Sequence, residues 1–108
     1  MSLIITEVDN QQSEAPKEMR LDQNFPNPFN PATVITYALP SDGLVDLKIF
    51  SLLGEEVASI VSEKENAGIH SLTWNVAQQP SGIYISQLTF QASDKSYSRQ
   101  ARKMVYIR

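Results

Sequence analysis

The sequence predicts an all-β antiparallel sandwich of about seven strands, and three observations carry that reading. From Thr33 onward the apolar residues recur with period two rather than 3.6. Turn signals built on Gly, Pro, Asn and Asp interrupt that alternation every ~8–12 residues. No stretch has the spacing of an amphipathic helix. A chain of 108 residues, 42% hydrophobic and 19% charged, is long enough for one small domain with a modest core.

The elements follow in order. Residues 9–20, Asp-Asn-Gln-Gln-Ser-Glu-Ala-Pro-Lys-Glu-Met-Arg, carry too little apolar surface to fold by themselves and read as a linker. Residues 1–20 are therefore expected to be a linker or the tail of an upstream region, with Met1-Ser2-Leu3 an expression start and 21–108 the folded domain. Leu3, Ile5 and Val8 are the residues from which a loose extra strand would be built. Next comes Asn24-Phe25-Pro26-Asn27-Pro28-Phe29-Asn30-Pro31. Pro26, Pro28 and Pro31 fix φ and remove backbone donors, and each restricts the residue before it to extended conformations. The segment is expected to be a stiff strap, with Phe25 and Phe29 anchoring it to a neighbouring surface.

Beyond the strap, Ile35, Tyr37 and Leu39 share one face of a strand, and Pro40-Ser41-Asp42-Gly43 ends it. Val45, Leu47 and Ile49 alternate with Asp46 and Lys48 in a half-buried strand. Ser51-Leu52-Leu53-Gly54 turns the chain, and Glu55 to Val61 returns as a hairpin partner whose broken parity predicts a bulge. Glu63 to Gly68 reads as a polar loop, and Ile69 to Asn75 as a strand with His70, Leu72 and Trp74 on one face. Gln78 to Gly82 is a turn, and Ile83 to Phe90 a strand with Tyr84, Leu88 and Phe90 sharing parity. Ala92-Ser93-Asp94 turns again, and Ser96 to Ile107 is the last strand. Strands of this length and rhythm make an immunoglobulin-like sandwich the expected architecture, with Trp74 at the centre of its core.

Composition excludes several kinds of function. A net charge of −3 gives no global electrostatic footprint for nucleic acid. Without cysteine there is no disulfide, thiolate metal site or cysteine nucleophile. No apolar run is long enough for a transmembrane helix. Met1 to Ile5 lacks the basic start and apolar length of a signal peptide, so an export address is expected on a larger parent. No motif for a cofactor is present.

Catalytic candidates are few. His70 is the one histidine, and Glu65, Ser71 and Ser81 are near it in sequence, but no motif joins them; a hydrogen-bonded structural histidine is the expectation. Glu55-Glu56 point to opposite faces of a strand, and Glu63 and Glu65 read as solvated hairpin residues. Asp42, Asp46 and Asn66 lack the dense spacing of a calcium loop. Phe50, Tyr97 and Tyr106 would oppose the core residues on the simplest register, and could bind sugar if exposed together; covering the sandwich edge is the plainer role. The last strand is more telling. Lys95, Arg99, Arg102, Lys103 and Arg108 are five of the nine basic residues, and no acid follows Asp94. Such charges protect an edge strand from pairing with strangers, and they also suit a basic recognition tag that a receptor could add to its own sheet.

Leu21-Asp22-Gln23-Asn24-Phe25-Pro26-Asn27-Pro28-Phe29-Asn30-Pro31-Ala32-Thr33-Val34-Ile35-Thr36-Tyr37-Ala38-Leu39-Pro40 resembles the opening pattern LxQNYPNPFNPxTxIxYxLP of the C-terminal sorting domains of the bacterial type IX secretion pathway. Phe25 keeps the ring of the usual tyrosine without its hydroxyl. Val45 to Val57 resembles the family's VxLxIYDxxGxxV hairpin, Ala67 to Asn75 its AGxHxxxWd strand, Pro80 to Tyr84 its xSGxYxY segment, and Lys103 to Arg108 its terminal KKMVxxK. Ser51 and Ser86 depart from the family's aspartate and aromatic, and the turn after Trp74 is shorter. Similar features occur in the immunoglobulin-like module of flagellar hook-capping proteins.

The resemblance implies an address label without chemistry of its own. The parent would be exported to the periplasm, recognised by outer-membrane secretion machinery, and left at the cell surface or outside the cell. An upstream catalytic or adhesive domain of the same parent would be the cargo, and the chain would end where the parent ends. Recognition would rest on Gly82, Tyr84, Arg102, Lys103, Val105 and Arg108. The alternative is a structural or carbohydrate-binding module of a secreted hydrolase.

Overall fold

Alternation along the chain becomes two packed antiparallel sheets. The computed structural model describes residues 16–76 and 78–108, and they hold seven strands: β1 (Arg20–Leu21), β2 (Ala32–Leu39), β3 (Gly43–Ser51), β4 (Glu56–Glu65), β5 (Gly68–Asn75), β6 (Gly82–Ala92) and β7 (Tyr97–Tyr106). One sheet has the order β1-β2-β5 and the other β4-β3-β6-β7, with every neighbouring pair antiparallel. No helix occurs among the described residues. This is the all-β sandwich expected. The expectations for residues 1–15, Met1-Ser2-Leu3 and the strand from Leu3, Ile5 and Val8 included, lie outside the described residues.

The inward rows are the predicted ones. Ile35, Tyr37 and Leu39 on β2, Val45, Leu47 and Ile49 on β3, and Tyr84, Leu88 and Phe90 on β6 are all buried. Fully burying one large apolar side chain contributes about 1.5–3 kcal/mol. Met19, Leu21, Phe29, Val76, Met104 and Tyr106 join them in the core. Trp74 is not at its centre. It is half-buried on β5, the edge strand of the smaller sheet, where it packs on Phe29 and edge-on to Tyr84 with ring centroids 6.0 and 5.9 Å away. An edge strand has a neighbour on one side only, so its largest residue keeps part of its surface in water.

Other differences have local causes. β4 runs through Glu63-Lys64-Glu65, leaving Asn66-Ala67 as the turn, and the Ala67 N–H donates to Asp42 Oδ1 at 2.8 Å. Charged residues belong on such an edge, because one side of the strand faces solvent. The predicted bulge is present twice: the β3–β4 register skips Ile60 and Val57, so Val57, Ile60 and Val61 all reach the core in part. Gly43 opens β3 rather than closing the turn, and a Cβ there would lie 2.4 Å from the Gln91 carbonyl oxygen, so only glycine allows this approach to β6. Met19 is buried and Arg20 pairs with Ala38, so two residues assigned to the leader take part in the fold.

Candidate functional site at the terminal strand and its strap

The strap is built from amides between prolines. Phe25 pairs with Val34 through two backbone hydrogen bonds of 3.0 and 2.9 Å, which extends the β1 side of β2. Asn24 and Thr33 are buried beneath this pairing. Asn24 Nδ2 donates to the Pro26 carbonyl oxygen at 3.1 Å and to Thr33 Oγ1 at 2.9 Å, while Thr33 Oγ1 donates to the same Pro26 oxygen at 2.9 Å. Prolines supply no donors, so side chains bond the carbonyl groups they leave. The Phe25–Pro26, Asn27–Pro28 and Asn30–Pro31 peptides are cis. Only one of the two rings anchors the strap. Phe29 is 2% exposed and stacks on Tyr106 at 5.3 Å, whereas Phe25 is 78% exposed.

From Phe29 the strap reaches the end of β7. The Phe29 N–H donates to the Val105 carbonyl at 2.9 Å, and the Ile107 N–H donates to the Phe29 carbonyl at 3.0 Å. Gln23 Nε2 donates to the Lys103 carbonyl at 2.8 Å, and Asn27 Oδ1 accepts from the Val105 N–H at 2.9 Å. Further along, Gln100 accepts from the Leu21 N–H at 2.8 Å and donates to the Met19 carbonyl at 3.3 Å, and Arg102 Nε donates to the Leu21 carbonyl at 2.9 Å. At its C-terminal end the terminal strand is therefore not the open edge that addition to a receptor's sheet requires: the Lys103 carbonyl, both backbone groups of Val105 and the Ile107 N–H are already bonded.

β6 supports β7 from the other side. Gly82 pairs with Tyr106, Ile83 with Val105, Tyr84 with Met104, Ile85 with Lys103 and Ser86 with Arg102. Gly82 has φ +154°, a backbone that residues with a side chain rarely adopt, and it takes the chain from the turn into β6. Tyr84 is buried, and its hydroxyl donates to the Pro80 carbonyl at 2.5 Å across the same turn. Burial raises the Tyr84 pKa. Ser86, where the family pattern has an aromatic, is buried and donates to the Arg102 carbonyl at 3.4 Å.

Met104 and Tyr106 point inward, so Lys103 and Val105 face outward, with Ile83 and Ile85 beside them on β6. Arg108 Nη2 donates to the Gln79 carbonyl at 2.9 Å. Among the described residues, Lys95, Arg99, Arg102, Lys103 and Arg108 form no ion pair; the three pairs present join Arg20 to Asp22, Lys48 to Glu56 and His70 to Glu65.

The remaining candidates converge only in part: His70 Nδ1 lies 3.7 Å from Glu65 Oε1. His70 Nε2 bonds the Asn66 carbonyl oxygen at 2.8 Å and its ring stacks on Tyr37 at 5.3 Å. Ser71 lies on the opposite face of β5, bonded to Thr36 at 2.8 Å. Glu65 accepts a hydrogen bond from the Tyr37 hydroxyl, which ties β4 to β2 across the sandwich. Tyr106 is buried against Phe29 and cannot join Phe50 and Tyr97 on an outer face. Polar residues on both faces of β7 had hidden its parity. Phe50 and Tyr97 sit opposite Ile85 and Gln91 on β6, with the polar Asp46, Lys48, Gln87 and Thr89 between them. Sequence reasoning missed Gln23, Asn27 and Gln100 as contacts of the terminal strand. Their amides signal hydrogen bonding, but nothing in the sequence names partners about 80 residues away.

A family model described as the secretion system C-terminal sorting domain matches residues 23–104, from the strap through to β7. A search of curated proteins returned no significant match. The family is generally non-catalytic and works with the type IX secretion machinery. With most of its length matched, the chain belongs to the secretion system C-terminal sorting domain family: it is a sorting signal of the type IX pathway, exported through the periplasm to the cell surface or the extracellular space.

Proposed function

We propose that the secretion machinery reads the outward side chains at the end of β7. Lys103 and Val105 make the direct contact, Arg102 and Arg108 add positive charge beside them, and Gly82 and Tyr84 hold the turn that carries β6 underneath. The observation that supports this most is the absence of carboxylate partners for the cations of β7 among the described residues. Cations without a local carboxylate favour a partner that brings negative charge, which steers encounter as well as binding. On this reading the cargo is an upstream domain of the same parent, and the sorting domain itself performs no chemistry. The fold supports presentation rather than catalysis: its one histidine is held by Asn66, Glu65 and Tyr37, and the neighbouring Ser71 lies on the opposite face of β5.

Export of a reporter tests the reading. The full chain is placed behind a signal peptide and a fluorescent reporter in a bacterium with a type IX pathway. Removing Lys103–Arg108 would also take the buried Met104 and Tyr106 out of the core, so substitution is the sharper test. Lys103→Glu is expected to trap the reporter in the periplasm while the domain stays folded. Export of that variant at the parent level would overturn the assignment.

A further inference from the structure

The polar grip of the strap falls on backbone atoms of alternate residues in the terminal strand. Gln23 bonds the Lys103 carbonyl, Asn27 the Val105 N–H, and Phe29 the Val105 carbonyl and the Ile107 N–H. These residues alternate with the inward Met104 and Tyr106, so the grip coincides with the outward-facing positions. It leaves the Lys103 and Val105 side chains unused. Gln23 and Asn27 are themselves exposed and add nothing to the core. A hydrogen bond between exposed groups contributes little to global stability, yet here two exposed side chains flanking the buried Asn24 converge on two neighbouring outward residues about 80 positions later.

We infer that Gln23 and Asn27 are positioning residues for recognition: they fix the backbone at Lys103 and Val105 so that both side chains stand outward in one arrangement. The inference rests on the reading of Lys103 and Val105 as contact residues, and deepens it. The strap is then part of the signal although it need not touch the receptor with these amides. A partner meeting a strand held in place loses less conformational entropy on binding than one meeting a frayed chain end. The acceptor is the chemical requirement at position 27. Aspartate can supply it and alanine cannot.

The test compares Asn27→Ala and Asn27→Asp in the full chain by amide hydrogen exchange, thermal unfolding and reporter export. Asn27→Ala is expected to speed exchange at the Val105 amide roughly fivefold to tenfold, with the melting midpoint nearly unchanged, and to lower export. Asn27→Asp is expected to restore both slow exchange and export. Unchanged Val105 exchange in Asn27→Ala would overturn the inference, as would faster exchange with parental export, or equal export loss in both variants. Lys103→Glu separates this inference from the reading beneath it. If Lys103→Glu is exported like the parent, the contact assignment falls and the positioning role falls with it. If Lys103→Glu is retained while Asn27→Ala is exported, the positioning role alone fails.

Discussion

Each flank of the sandwich brings together one edge of either sheet. On the β1/β7 flank, the strap and its neighbours bond the exposed backbone: Gln23, Asn27 and Phe29 take up the end of β7, and Gln100 and Arg102 return bonds to Met19 and Leu21. On the β4/β5 flank, the sheets are joined by a two-residue turn and by the Tyr37–Glu65 hydrogen bond. β4 carries two bulges and the charges Glu56, Glu63, Lys64 and Glu65. β5 has neither: its sequence, Gly-Ile-His-Ser-Leu-Thr-Trp-Asn, holds no Lys, Arg, Asp, Glu or Pro. Order on the first flank is thus set by specific amide bonds to the backbone, whereas the second is left to charge and local twist. A surface that must be presented in one arrangement belongs on the first kind of flank.

The largest test of that contrast is Phe29→Ala. Phe29 is the buried ring through which the strap meets Tyr106 and Trp74, and its loss is expected to cost about 3–5 kcal/mol in urea unfolding. Phe25→Ala, at an exposed position, is expected to stay within about 0.5 kcal/mol. Equal losses would mean that the strap is held along its whole length rather than at one ring. Asn24→Ala comes next. It leaves Thr33 and the strap carbonyl of Pro26 without the buried amide donor, and a loss of about 1–3 kcal/mol is expected by the same measurement. A loss below about 0.5 kcal/mol would show that water replaces the amide.

These two positions also mark how much could be read from the chain alone. Pro26, Pro28 and Pro31 forbid regular structure whatever surrounds them, so the strap was legible. Which of its rings is buried was not, because the answer depends on where Tyr106 lies. The alternation on β2, β3 and β6 was legible because both neighbours of each strand enforce one buried face. β7 lies at a sheet edge with polar residues on both faces, so its parity was weak and Tyr106 was misplaced. On β5 the face shared by His70, Leu72 and Trp74 was read correctly, and only the depth at which Trp74 is buried was not. The basic residues of β7 were visible as a cluster, but the bonds that orient the strand come from side chains far away in sequence. Distance along the chain, not chemistry, hid them.

On the weaker flank the main polar tie is Tyr37. Burial, and then the hydrogen bond to Glu65, raise the pKa of Tyr37 well above the ordinary tyrosine value near 10. The folded state therefore keeps the phenol protonated after the unfolded state has begun to ionise. The stabilisation is complete below about pH 10 and declines as pH rises above it. Tyr37→Phe is expected to be less stable than the parent by about 1 kcal/mol at pH 8. That gap should narrow in denaturant titrations carried above pH 10. A gap that stays constant through the alkaline range would mean that Tyr37 contributes by packing and not through its hydroxyl.

The smallest effect on stability, and the sharpest on behaviour, is expected at β5. Ile69, Ser71 and Thr73 form its exposed outer row, with Ile69 60% exposed, and among the described residues no strand pairs with the outer side of β5 at these three positions. An uncharged edge of this length is a template for another strand, and two copies can pair antiparallel about a two-fold axis. The parent is expected to self-associate weakly as its concentration is raised. Ile69→Lys, which adds the charge that β4 already carries, should abolish that association while shifting unfolding by no more than about 0.5 kcal/mol. Sedimentation equilibrium across a concentration series reads the difference. If the parent stays monomeric at its highest soluble concentration, the β5 edge is guarded by twist alone, and the contrast between the flanks narrows to the bonds that hold the strap.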